Sequence, residues 1–438
     1  MTANVPKRGS GRRAPGPKGS LVWGSLSDFK ADAIGFLSES AAQYGDVVRF
    51  RFGPVVAHLV NRPEYAEQIL SRGAARYDKR TRSVARIRAT CGDSLLSTDG
   101  PAWLRHRRLI QPVFQPRYLE GIGPTIDATM AGTLDRWALL ARRGESIDIV
   151  SEMTRLTIAI AAQILFSSDV EQDAGTIERA LAVILDDTWR RLEAPVDLAK
   201  LSRKLHRRPF RAALQQIDNI VFRVIEQRRR DGTRHDDLLS RLLTAHESET
   251  DSRLTDQELR DAAVTLLLAG HETTANALAW TFYLVAQSPT AQHETADTRQ
   301  VFSEAIRMYP SIWVIERRVV QTDQIGPFAI PRGTTVLVSP YVLHRHPEFW
   351  DAPERFDPAR FESEQTTRRA RNAYLPFGLG PHRCIGEHMA VLVATRIMTN
   401  VFQRFRLRLL PGQIAGMVPG ITLRHAGELR MQIEEVDT

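Results

Sequence analysis

The chain has 438 residues, 43% hydrophobic and 25% charged, enough apolar material for a folded protein of one large domain or two ordinary ones. Its net charge of +8 invites a nucleic-acid or membrane-surface reading, but the charge is local: residues 1–20 carry five cations and no acid, residues 79–117 carry nine cations against Asp93 and Asp99, and the remainder sums to −4. The two cysteines, Cys91 and Cys384, stand far apart in the chain, which excludes a disulfide-framed scaffold and a zinc site of paired cysteines and fits a reducing cytoplasm.

Residues 1–18, broken by prolines and glycines with no apolar run behind the charge, read as a flexible basic tail and not as a signal peptide, with one domain over 19–438. The apolar runs at 158–166 and 262–270 are too short to span a bilayer, so no membrane anchor is expected. The β-branched segment 45–60 reads as two strands joined at Gly53-Pro54, after which Asn61, Arg62 and Pro63 open a helix. From 127 to 230 apolar residues recur at intervals of three and four, the pattern of amphipathic helices. Thr255 and Glu258 form a capping box for a run that lacks proline until Pro289, a helix of about 45 Å. Its portion 262–269 is apolar all round and belongs in the interior. A second helix centres on 304–308, and ERRVV, IGPFAIP and GTTVLVSPYVL read as short strands. PEFWDAPERFDPARF is irregular, and HMAVLVATRIM is helical.

Three segments carry chemistry. In FGLGPHRCIG (377–386) a cysteine stands among glycines just before a helix. Unpaired N–H groups at a helix start favour the thiolate, and the glycines let the backbone approach a flat partner. In AGHETT (269–274) a glycine and an acid interrupt a buried apolar helix, which is costly unless something needs them. Thr273 stands four residues after Ala269, so its hydroxyl reaches that carbonyl and can open the helix locally. His271-Glu272 is not a zinc-protease motif, because Ala275 occupies the position of the second histidine. Glu304 and Arg307, three apart, share a helix face, which by composition alone reads as an ordinary surface ion pair.

Together these segments resemble the cytochrome P-450 family of haem-thiolate monooxygenases. The family's cysteine signature is met by Phe377, Gly378, Gly380, His382, Cys384 and Gly386, and the likeness covers essentially residues 19–438. The resemblance implies a mainly α fold with small β-sheets, with haem b buried between the long central helix and the helix after the cysteine. It implies Cys384 as the axial iron ligand, and Trp103, Arg107, Arg318 and His382 at the haem propionates, with His106 as a weaker alternative. Thr273 and Glu272 become the oxygen-activating, proton-delivering pair, and Glu304, Arg307 and Arg355 a structural triad. Leu266, Ala269, Ile312, Trp313 and Val314 would face the substrate, and 79–100 with 188–198 would form a lid. Only 31 positions separate Thr273 from Glu304, fewer than in many members.

The implied reaction is hydroxylation or epoxidation of an apolar small molecule with O2, and YPSIWVIERR with GTTVLVSPYVLHR resembles bacterial enzymes of terpenoid or carotenoid substrates. The chain lacks a flavin or dinucleotide fingerprint, so electrons would come from a ferredoxin or similar donor with its reductase, steered by Arg105, Arg107 and Arg108. A peroxygenase and a non-catalytic haem-binding protein are the rival readings. No nucleic-acid motif is present.

Overall fold

The computed structural model describes residues 11–167, 173–193, 207–231, 235, 237–247, 252–288, 292 and 297–436. The chain divides into two compact units: the first takes in residues up to 81 with 312–355 and 366–384, the second 82–311, 356–365 and 385–438.

The first unit is built on a five-stranded sheet. Its strands are β1 (Val47–Phe52), β2 (Val55–Val60), β3 (Tyr77–Asp78), β4 (Ile315–Val319) and β5 (Thr335–Val338), in the order β1-β2-β5-β4-β3. The hairpin expected from the β-branched run is present, pairing Val47 with Val60 and Phe52 with Val55. β5 joins β2 in parallel and β4 in antiparallel, so residues far apart in the chain share one sheet. Val47, Val60, Ile69, Leu70, Val319 and Val338 pack beneath it, and Leu375 anchors the approach to the cysteine loop in the same cluster.

Two expectations fail in this unit. Residues 11–18 are not a loose tail: Arg12 pairs through its N–H with Pro327 O at 2.9 Å and through its carbonyl with Ala329 N at 3.0 Å, Pro15 O accepts from Arg49 N, and Ala14 is buried. Sheet hydrogen bonds to partners more than 300 residues on leave no trace in local composition. The last residues of GTTVLVSPYVL are not strand either. Ser339 caps a helical turn, Pro340–Leu343, through its hydroxyl and Val342 N (3.3 Å), with Pro340 at the favoured first position.

The second unit is helical. Its principal helices are α1 (Gly123–Arg142), α2 (Ile149–Phe166), α3 (Asp256–Ala286), α4 (Thr298–Met308) and α5 (Glu387–Arg404). The capping box is formed as read, with Thr255 Oγ1 accepting from Glu258 N and Thr255 N donating to Glu258 Oε2. Burial of 21 of its 31 residues makes α3 the interior helix that the all-round apolar pattern foretold. α2 packs along it. By length and composition α2 could cross a membrane, which amends the reading of 158–166 as too short; most of it is buried inside the fold. Its Glu152 is engaged by Trp137 Nε1 at 2.7 Å and by Arg155 and Arg136. The expected loop 79–100 contains a helix, Arg82–Cys91, whose end is buried at Thr90 and Cys91. Of the other supposed lid segment, Thr188 is buried within the helix Ala174–Glu193, its hydroxyl on Ile184 O, and 194–198 lie outside the described residues. A hairpin of Met417–Pro419 with Leu423–His425 lies against α3.

Candidate active site

The cysteine loop belongs to the first unit and is closed by its own backbone. Leu375 N donates to the buried His344 Nε2 (2.9 Å), Gly378 N to Leu375 O (3.0 Å), and Cys384 N to Phe377 O (2.9 Å). Inside it, Gly380–His382 forms a single 3-10 turn. Gly378 and Gly380 have φ of +74° and +72°, where a side chain is strained. At Gly380 the need is also steric, since an added Cβ would stand 2.0 Å from Leu70 O.

The loop holds the Cys384 thiol out: it is exposed, whereas Cys91 is buried and its thiol is pushed up to about 11, chiefly by burial. Cysteines are ordinarily among the most buried residues. Two residues on stands Gly386, the N-cap of α5, which offers no side-chain cap for the first N–H groups. An exposed thiol in a glycine-shaped loop fits an axial ligand to a flat metal macrocycle.

In the second unit, α3 is closed on most of its surface but half-open at Leu266, Ala269, Gly270 and Thr273, whose spacing puts them on one face. A cavity of about 30 Å³ borders this strip, lined by Leu266 and Gly270 with Thr157 and Ala161 of α2 and Met389 and Val393 of α5. Thr273 Oγ1 donates to Ala269 O at 2.7 Å, the contact the spacing foretold. The expected opening is absent, because α3 stays α-helical through this point and the hydroxyl adds its bond to a carbonyl already in the ladder. Ser311 Oγ donates to Thr273 O at 2.7 Å. Glu272 accepts from Thr422 Oγ1 at 2.9 Å, and Arg424 Nε lies 3.7 Å away. Burial raises the Glu272 carboxyl above its ordinary range, while Arg424 and the Thr422 hydroxyl pull the other way. A strip that is apolar at one end and carries a hydroxyl and an acid at the other can hold an apolar molecule and move protons beside it.

The cations assigned to propionates are distributed unequally. Trp103 is buried in the helix Gly100–Ile110, and Arg107 on the same helix donates from Nε to Gln111 Oε1 at 3.0 Å. His106 is drawn to Glu258, Nε2 to Oε1 at 3.2 Å, and Arg105 binds the same oxygen at 2.5 Å and Arg253 O at 2.7 Å. Burial would raise Glu258, but hydrogen bonds from Thr255, His106 and Arg105 hold it at about 2. Arg105 and His106 therefore tie their helix to the start of α3, which corrects the reading of Arg105 as a partner-steering charge. Arg318 meets Asp78 through both arms of its fork, at 2.7 and 3.1 Å, because β3 and β4 place the two side by side. Any propionate there shares this cation with Asp78. The neighbouring Arg317 donates to Glu316 O.

Glu304 and Arg307 are not a surface pair. Both are fully buried in α4, joined at 2.7 and 2.9 Å, and Glu304 also accepts from Asp357 N at 3.0 Å and lies 3.4 Å from Arg360 Nε. Arg355, the third expected member, lies in the first unit with its N–H on Ala352 O. Ile312 and Val314 are half-exposed, whereas Trp313 is 4% exposed and stacks near Phe29 with ring centroids 6.3 Å apart, packed into the core of the first unit. Sequence reasoning missed Asp78, Arg360, Thr422 and Arg424. Each meets its partner only through the fold, and no local spacing announces them.

The sequence matches the family model described as Cytochrome P450 over residues 14–297 and 298–420. Among curated proteins, cyclooctatin synthase of Streptomyces melanosporofaciens is 33% identical, covering 98% of this chain and 97% of that protein. Pentalenene oxygenase of Streptomyces avermitilis is 30% identical over 91% of this chain and 92% of its own. Of solved structures, the heme domain of cytochrome P450DA superposes with a TM-score of 0.87 at 24% identity, covering 98% of both chains. With the family model running from the docked N-terminal segment to the hairpin beside Glu272, the chain belongs to the cytochrome P450 family and is a monooxygenase with haem b as its cofactor.

Proposed function

We propose that the chain hydroxylates or epoxidises an apolar small molecule of the terpenoid class, taking electrons from a separate ferredoxin-like protein and its reductase. The observation that carries this reading is the strip on α3, where Leu266, Ala269 and Gly270 continue into Thr273 and Glu272. The names of similar proteins support the substrate class: one is cyclooctat-9-en-7-ol 5-monooxygenase of Streptomyces melanosporofaciens, 34% identical. Two reduced cysteines far apart in the chain suit a cytoplasmic setting.

Cys384 would hold the haem iron, with Phe377, Gly378 and Gly386 shaping its loop, while Trp103, Arg107, His382 and Arg318 would hold the carboxylates. The haem supplies activation of O2, one atom of which enters the substrate while the other leaves as water. Thr273 holds a proton at Oγ1, aimed at Ala269 O, and Glu272 takes up and releases one at its carboxylate. Leu266, Ala269, Ile312 and Val314 orient the substrate and exclude water. Glu304 and Arg307, with Arg355, keep the fold around the haem intact.

The test has two arms. A red-shifted Soret band of the ferrous carbonyl complex, lost in Cys384→Ala, is expected; an unshifted band in the native protein overturns thiolate ligation. A panel of terpenoids, carotenoids, fatty acids and steroids should give oxygenated product only with reductant and O2 and best with a terpenoid. Equal turnover on peroxide alone would establish the peroxygenase reading instead. With Arg105 engaged by Glu258, the exposed Arg108 is the charge to reverse, and Arg108→Glu should slow reduction by an acidic ferredoxin at low salt.

A further inference from the structure

Glu272, Asn276 and Trp280 stand four residues apart and so line one face of α3. The end of the C-terminal hairpin is fastened along that face, residue by residue. Thr422 Oγ1 donates to Glu272 Oε1 (2.9 Å) and accepts from Asn276 Nδ2 (3.1 Å). Trp280 Nε1 donates to Leu423 O (3.1 Å), and the His425 ring stacks on Trp280 with centroids 3.6 Å apart. Leu423 N donates to Ser311 O, and Ser311 in turn donates to Thr273 O. The hairpin is thus bonded directly to Glu272 through Thr422, just before its second strand, and through Leu423 and Ser311 to the backbone of Thr273.

The polarity of this arrangement is defined. Thr422 is 2% exposed and has one hydroxyl proton; with Asn276 donating to its oxygen, that proton goes to Glu272. The Arg424 contact falls on the same oxygen, Oε1, at 3.7 Å, from a side chain that is 31% exposed. Of the other titratable groups nearby, His271 on α3 and His425 on the hairpin are held neutral by burial, and Glu152 on the adjacent α2 is engaged by Arg136, Arg155 and Trp137.

We propose that Thr422 and Arg424 are positioning residues for Glu272: the hydroxyl fixes the carboxylate's orientation, and the guanidinium supplies the counter-charge that returns it to the ionised form between proton transfers. The inference rests on the reading of Glu272 as a proton donor in the reaction. It makes the C-terminal hairpin part of the proton supply, with Arg424 as its solvent-side end.

The test is an infrared titration of the carboxyl band of the ferric holoenzyme, with Glu272→Gln identifying the band. Thr422→Val and Arg424→Gln each remove a contact that favours the ionised form, so the midpoint should move to higher pH in both, while Thr422→Ser keeps the native midpoint. In turnover the first two variants should divert about tenfold more electrons to peroxide with a larger solvent isotope effect, and Thr422→Ser should restore coupling. A purely structural role would not move the infrared midpoint. Native midpoints in both Thr422→Val and Arg424→Gln, with the thiolate carbonyl spectrum intact, would overturn the positioning role alone. Native coupling in Glu272→Gln would overturn the proton-donor reading and this inference with it.

Discussion

Gly378 and Gly380 have nearly the same positive φ and different surroundings, so replacing each by alanine separates strain from packing. Both substitutions place a Cβ at positive φ, a penalty of about 1–2 kcal/mol. At Gly378 the new atom finds Ile315 Cδ1 at 3.8 Å, an ordinary contact. At Gly380 it meets Leu70 O at 2.0 Å and Leu70 C and Ser71 Cα at 2.8 Å, and these are backbone atoms that cannot rotate away. The loop must then shift by about 1 Å to restore contacts beyond 3.0 Å, which costs about 1–3 kcal/mol more in a packed interior. Gly378→Ala should therefore lose about 1–2 kcal/mol in urea unfolding, and Gly380→Ala about 2–5 kcal/mol. The shift also strains the Cys384 N to Phe377 O bond, so Gly380→Ala should show the larger loss of the thiolate carbonyl band. Equal losses, or a greater one in Gly378→Ala, would refute the account of the loop.

Glu304→Gln leaves the Arg307 cation fully buried with a neutral partner, so calorimetry should show a loss of about 3–5 kcal/mol, most of it recovered when both residues are replaced by methionine. In the haem-free chain at pH 8, iodoacetamide should label the exposed Cys384 and spare Cys91, whose buried thiol titrates at about 11; mass spectrometry reads both sites. His58, His271 and His425 are each brought down to about 4, chiefly by burial, from an ordinary 6.5. The unfolded chain takes up these protons first, so their contribution to stability is complete above pH 6.5 and is lost as pH falls toward 4. Each adds a slope of at most about 1.4 kcal/mol per pH unit, and His271→Gln should remove one such increment from denaturant titrations across that window.

Local patterns carried much of this protein. The β1–β2 hairpin, the capping box at Thr255 and the interior course of α3 all follow from periodicity and end signals within a few turns of chain. The contact of Thr273 with Ala269 is one helical turn long and equally legible. What could not be read involves partners distant in sequence. The docking of residues 11–15 depends on β1 and the 323–330 hairpin, and the engagement of Arg318 depends on Asp78 in a strand 240 positions earlier. Trp313 is buried because Phe29, far away in the chain, arrives beside it.

The overall charge of +8 shows the same division. Sequence alone located the excess in two segments. Only the fold showed that Arg105 is engaged by the capping glutamate of α3 while Arg108 faces solvent, and that a threonine and an arginine from the far C-terminal hairpin meet Glu272. Periodicity and capping report on a residue's neighbours along the chain, whereas burial, ion pairing and the ionisation of an acid depend on whatever the fold brings alongside.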